Sequence, residues 1–122
     1  MGGRDPQTYA VIGAAMAVHG ELGPGFLESI YGDALEIELR ARAIPYEREA
    51  SVRVRYRDHL LPSVFRADYL CAERLLLELK ATPALGPAAD AQLLHYLKAT
   101  RIHKGLLLNF GSPRLQYKRL VL

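Results

Sequence analysis

The sequence predicts an α/β fold, a mixed β-sheet with helices packed on it, in the order ααβββαββ. Three observations carry that expectation. Apolar residues recur at helical spacing through the first third of the chain and then alternate with a period of two. Near the C-terminus they close up into one continuous run. The 122 residues suit one domain, spanning 1–122. A chain of that size buries roughly two-thirds of its unfolded surface, enough for a core without staples.

The stretch from Thr8 to His19 is Ala-rich and free of Pro, which favours a helix, with Asp5-Pro6 as its cap. Val11, Ala14, Ala15 and Val18 form its apolar stripe, and Gly20 to Gly25 ends it. A second helix follows from Phe26 to Arg42. Its expected apolar face reads Leu27, Ile30, Tyr31, Ala34, Ile37, opposite Asp33, Glu36, Glu38 and Arg40. From Tyr46 to Arg57 the period drops to two: Val52, Val54 and Tyr56 point inward, and Arg53, Arg55 and Arg57 outward. Asp58-His59 is a turn before a second strand, Leu61 to Cys71. Ala72-Glu73-Arg74 turns into a third, Leu75 to Lys80. Pro83 and Pro87 bound a loop ahead of a helix from Ala88 to Thr100. Lys104 to Phe110 has the look of a central strand covered on both faces, and Leu115 to Leu122 is expected beside it.

Composition narrows the class of protein. With 50% apolar and 24% charged residues, the chain is neither disordered nor fibrous. No apolar run approaches the ~20 residues of a membrane span, and the polar start is no signal peptide. Pro6 stands where a myristoylation signal on Gly2 needs Ser or Thr. A lone Cys71 excludes an internal disulfide and a cysteine zinc site, and a cytoplasmic location is expected. The net charge is +3, and twelve of the sixteen basic residues are Arg, suited to bidentate phosphate contacts. That balance permits a polyanionic partner without demanding one.

Chemistry concentrates on the second and third strands. A three-residue turn centred on Glu73 makes residues whose numbers sum to 146 direct neighbours, which sets Asp68 opposite Glu78. Cβ atoms in such a pair lie roughly 5 Å apart. Two carboxylates that close repel unless a positive charge relieves them. Lys80 lies two residues on, on the face of Glu78, while Leu75, Leu77 and Leu79 turn into a core. Two carboxylates, with the Leu79 carbonyl beside them, are a donor set for Mg²⁺. A cation there lowers the pKa of water and binds a phosphoryl oxygen, and Lys80 is placed to steady the developing charge. The plain alternative is a surface salt bridge between Lys80 and one carboxylate. Gln92 and Tyr96 share one face of the following helix, and Glu28 sits in the first turn of another, where the helix dipole favours its charge.

This order of Glu28, Asp68, Glu78-x-Lys80 and Gln92-x-x-x-Tyr96 resembles the PD-(D/E)XK nuclease superfamily, and the Gln-x-x-x-Tyr element is similar to that of its RecB-like branch. Gly25-Phe-Leu-Glu28-Ser-Ile-Tyr31 resembles the motif of the GxxExxY family of small bacterial proteins, as do FRADYL, LLLELKA, AQLLHYLKAT and GLLLNFG. Ala67 stands where the superfamily name has Pro. The resemblance implies a restriction-endonuclease-like αβββαβ core with an extra N-terminal helix. It further implies Mg²⁺ or Mn²⁺ held by Asp68, Glu78, the Leu79 carbonyl and Glu28, with Lys80 as catalytic lysine. Glu28, Gln92 and Tyr96 would complete the site. The implied activity is metal-dependent hydrolysis of nucleic-acid phosphodiester bonds, DNA or RNA. The competing expectation is a catalytically silent module of the same fold that binds nucleic acid or protein.

Other signals lead nowhere further. His19, His59, His95 and His103 show no metal-ligand spacing, and Ser29 and Ser51 have no nucleophile elbow. Gly20, Gly23 and Gly25 lack the Gly-Lys-Ser/Thr of a phosphate loop. Arg53, Arg55 and Arg57 suit either a phosphate backbone or a charged, aggregation-resistant edge. That strand and the last one are the expected edges for a homodimer.

Overall fold

The computed structural model describes residues 5–122, so the expectations resting on residues 1–4 lie outside the described residues. Helix α1 (Pro6–Leu22) opens on Asp5, whose carboxylate accepts from the Gln7 N–H at 3.2 Å and the Thr8 hydroxyl at 2.8 Å. It runs through Gly20 and stops at Gly23, whose φ of 67° a side chain would resist. Then follow α2 (Glu28–Ala41), β1 (Tyr46–Tyr56), β2 (His59–Cys71), β3 (Leu75–Lys80), α3 (Pro87–Thr100), β4 (Lys104–Asn109) and β5 (Gln116–Val121). The order is the expected ααβββαββ.

The five strands form one sheet in the order β1-β2-β3-β4-β5. All neighbours are antiparallel except β3 and β4, which run parallel because α3 carries the chain across between them. Helices cover both faces. Val11, Ala14, Ala15 and Val18 of α1 and Tyr31, Leu35 and Leu39 of α2 pack on Leu75, Leu77, Leu79, Leu106 and Leu108. On the other face Leu93 and Leu97 of α3 pack on Ala67, Leu76 and Leu107. The middle strands β3 and β4 thus bury side chains on both faces, as their continuous apolar runs require.

Two details differ from the sequence pattern. Of the expected face of α2, Tyr31 is buried and Ala34 packs against the core, but Leu27, Ile30 and Ile37 are 75%, 39% and 66% exposed, and Gly32, Leu35 and Leu39 are buried in their place. The reason is close packing: a side chain at Gly32 would meet the Arg48 guanidinium at 2.8 Å, so this glycine lets α2 lie against β1 and Leu79. Tyr56, expected inward, is exposed at the tip of the β1–β2 hairpin.

The hairpin also changes sides. Phe65 and Ala67 face the α3 layer, whereas Tyr69 and Cys71 face the α1/α2 layer, although strict alternation puts all four together. The slip falls at Asp68. Its neighbours pair regularly, Ala50 with Ala67 and Arg48 with Tyr69, but between them Glu49 takes a left-handed φ of 51°. This bulge-like irregularity re-aims the residues on either side of it.

Candidate functional site

The site is built where β2 and β3 part. Their backbone pairing follows the sum of 146, from Cys71–Leu75 to Tyr69–Leu77, and then ends. Side chains take over. The Leu79 N–H donates to Asp68 Oδ2 at 2.7 Å, and the Asp68 N–H donates to Glu78 Oε2 at 3.3 Å. Each carboxylate therefore caps an amide of the opposite strand. Because N–H and C=O of an extended residue point to the same neighbour, the Leu79 carbonyl also faces β2.

This arrangement concentrates negative charge away from water. Burial first, and the Asp68 charge second, push the Glu78 carboxyl up to about 7, and Glu28 adds to the push. The Asp68 N–H and Lys80 pull the other way without winning. Lys80 is half-buried and makes no ion pair among the described residues, so the plain salt bridge is not formed.

Glu28, Asp68 and Leu79 line one pocket, with Ser29, Arg48 and Glu49 around them. Glu28 reaches it from the first turn of α2, and Tyr31 fixes that turn. The Tyr31 hydroxyl donates to the Gly23 carbonyl at 2.5 Å and accepts from the Phe26 N–H at 3.2 Å. Its ring stacks on Phe110, 4.7 Å away, deep in the core. The Gly-x-x-Glu-x-x-Tyr spacing thus has a local explanation: the tyrosine three residues after Glu28 ties down the bend that aims it.

Lys80 and Gln92 line a neighbouring recess, closed by Thr82 and Leu85. Buried Asn109 holds that loop. It accepts from the Thr82 and Gly111 N–H groups and donates to the Thr82 carbonyl and to Gln116. Gly111 has no room for a side chain, since a Cβ there would lie 2.4 Å from the Thr82 backbone. Tyr96, one turn beyond Gln92, lies against Phe65 with ring centres 4.0 Å apart and joins the α3 core. The structure therefore brings Glu28, Asp68, Glu78 and Leu79 together, sets Lys80 and Gln92 beside them, and seats Tyr96 in packing.

Two charged lining residues, Arg48 and Glu49, escaped the sequence reading. Arg48 crosses from β1 to α2, bonding Asp33 at 2.8 Å and Glu36 at 3.1 Å, with Tyr69 beneath it. Its signal was available: strict alternation in the sequence puts Arg48 between Tyr46 and Ala50 on one side, and a charge among such neighbours is unusual. Glu49 enters through its left-handed backbone and pairs with Arg66 at 3.7 Å. No pattern in the sequence announces that. Cys71, raised to about 12 by burial, is an inert core residue.

The donor set suits a hard cation: carboxylate oxygens, one backbone carbonyl and an open pocket with room for water. Among the described residues no three His, Cys, Asp or Glu side chains converge into a ready cage. Mg²⁺ asks for less, taking one or two carboxylates and keeping several waters. Among the described residues no helix is long and apolar enough to cross a membrane.

Comparison with known proteins agrees with this architecture. No curated protein matches the chain. The solved structure titled "Crystal structure of SSO0001" aligns with a TM-score of 0.59 at 19% identity, covering 76% of this chain and 48% of that one. The chain spans about half the length of that structure, and the likeness concerns the fold alone. The five-stranded mixed sheet flanked by helices is consistent with the restriction-endonuclease-like fold. A family model described as the PD-(D/E)XK nuclease superfamily matches residues 5–120, and the chain belongs to that superfamily.

Proposed function

We propose that the protein hydrolyses phosphodiester bonds in nucleic acid with the help of Mg²⁺ or Mn²⁺, as a member of the GxxExxY family. One observation carries the reading: Asp68 and Glu78 are locked against each other by bonds to opposite strands, beside a Lys80 that makes no ion pair among the described residues. Asp68, Glu78, the Leu79 carbonyl and Glu28 are the groups that would hold the cation. When bound, it supplies a Lewis acid for a phosphoryl oxygen and a more acidic water. Asp68 keeps its oxygen in place through the Leu79 N–H, and Glu28 approaches from a helix start pinned by Tyr31. The Lys80 ammonium, held at the end of β3, donates to the attacking water or to the oxygen that gains charge. Gln92 contacts the strand beside Lys80, and Tyr96 keeps α3 seated while it does so.

The test is cleavage of labelled single- and double-stranded DNA and RNA in Mg²⁺, Mn²⁺ or EDTA, with Asp68→Asn purified identically. Cleavage that needs metal and vanishes in the variant is expected. A second reading, a binding module without turnover, is favoured by the lack of a three-ligand cage among the described residues. It predicts salt-dependent nucleic-acid binding and no cleavage under any metal. The outer strands β1 and β5 are where a second copy would join in a homodimer.

A further inference from the structure

A second concavity lies beyond Lys80, between α3 and the β1–β2 hairpin. Arg55, His95, Lys98, Ala99 and Arg101 line it, and no carboxylate does. The acid of α3, Asp90, is engaged by Lys118 of β5. The Arg101 guanidinium donates to the Arg57 carbonyl at 2.8 Å, tying the end of α3 to the hairpin and closing that end of the cleft.

Gln92, His95 and Lys98 follow one another at three-residue intervals on α3, and Arg101 is the left-handed residue that ends the helix. The six residues of helix from Gln92 to Lys98 rise roughly 9 Å, between two and three nucleotide steps of 3.4 Å. The first of the four stands beside Lys80 and the last three stand in the basic cleft. The Phe65–Tyr96 ring pair lies between α3 and β2, near the exposed His95, whose ring is 6.4 Å from that of Tyr96. The ring that lines the cleft itself is His95, and a basic groove that offers a ring for stacking among its cations is how single strands are held without regard to sequence.

We propose that this cleft carries the phosphates of a single nucleic-acid strand away from Lys80, with Arg55, His95 and Lys98 as the contacts and Arg101 as the brace. The assignment rests on the nuclease reading of the Asp68 site, and the experiment separates the two. Asp68→Asn protein in EDTA is titrated with a labelled oligothymidylate of about twelve nucleotides, within the usual site sizes. A duplex and a polyglutamate of equal charge run alongside, across a range of salt. The single strand is expected to bind most tightly. Arg55→Ala and Lys98→Ala, both of exposed residues, should each flatten the plot of log K against log salt by about 0.7. Arg114→Ala removes the same charge elsewhere and should leave the slope alone. An unchanged slope in the Arg55/Lys98 double variant, absence of binding, or equal binding of duplex or polyglutamate overturns the assignment. Binding that depends on Arg55 and Lys98 in a protein that never cleaves keeps the track and removes the reaction. Cleavage with binding indifferent to both does the reverse.

Discussion

Asp5 and Glu78 are two partly buried carboxylates that live under opposite conditions. Asp5, at the head of α1, is met by Lys104 at 2.6 Å, by the Thr8 hydroxyl and by the Gln7 N–H. The Lys104 bond leads in holding its pKa down to about 2. Glu78 is met by one amide, a neighbouring carboxylate and a cation that does not touch it, and its pKa rises to about 7. One acid is at rest and the other is short of positive charge. A fold that surrounds Asp5 so completely has the means to satisfy an acid; at Glu78 it leaves the deficit for something else to fill.

The largest expected effect separates the two regions by function. Asp68→Asn or Lys80→Ala should lower metal-dependent cleavage by roughly 10²–10³-fold or more. Asp5→Ala should retain cleavage wherever it is folded. An initial-rate assay at fixed metal decides between them, and equal losses would erase the distinction.

Stability against pH sharpens the contrast, because the two acids have opposite signs. A raised pKa means that the fold prefers protonated Glu78, so stability is full below about pH 4.5 and declines as pH climbs through 7. Glu78→Gln should therefore stabilise the metal-free protein by about 2–3 kcal/mol at pH 8 and lose that advantage near pH 4. A depressed pKa means that the fold prefers ionised Asp5, whose contribution is present above pH 4 and fades as pH falls through 2. Asp5→Ala should cost about 2 kcal/mol at pH 7, from the lost cap and ion pair, and little near pH 2. Denaturant titrations at several pH values in EDTA read both. Profiles with the same slope would refute the comparison.

The smallest effect tests the latch. Tyr31→Phe should cost about 1–2 kcal/mol, the worth of two hydrogen bonds, measured by thermal unfolding. Cleavage should fall by more than that loss explains, because the Glu28 turn is then free to move.

Much of this was legible in the residues. The short turn at Glu73 sets the register as far as Tyr69–Leu77, and one step beyond it the Asp68 N–H meets the Glu78 carboxylate in place of a carbonyl. The switch from helical to alternating periodicity marks the strands, and β4 reads as central because nothing in it is polar before Asn109 but Lys104. What stayed hidden depends on tertiary fit. The buried face of α2 is chosen by the space that Gly32 leaves for Arg48, not by where Ile30 and Ile37 lie. The side change of the hairpin depends on one backbone angle at Glu49, which leaves the alternation of letters intact.

The gap in the ladder has a spectroscopic consequence. The amide protons of Asp68 and Leu79 point at carboxylate oxygens, whereas the paired amides of β2 and β3 point at carbonyls. A cation drawing on those oxygens, or a proton landing on Glu78, changes the acceptor of these two amides directly. Their resonances are built-in reporters, able to follow occupancy of the site while Tyr69, Leu77 and the rest of the ladder keep their positions.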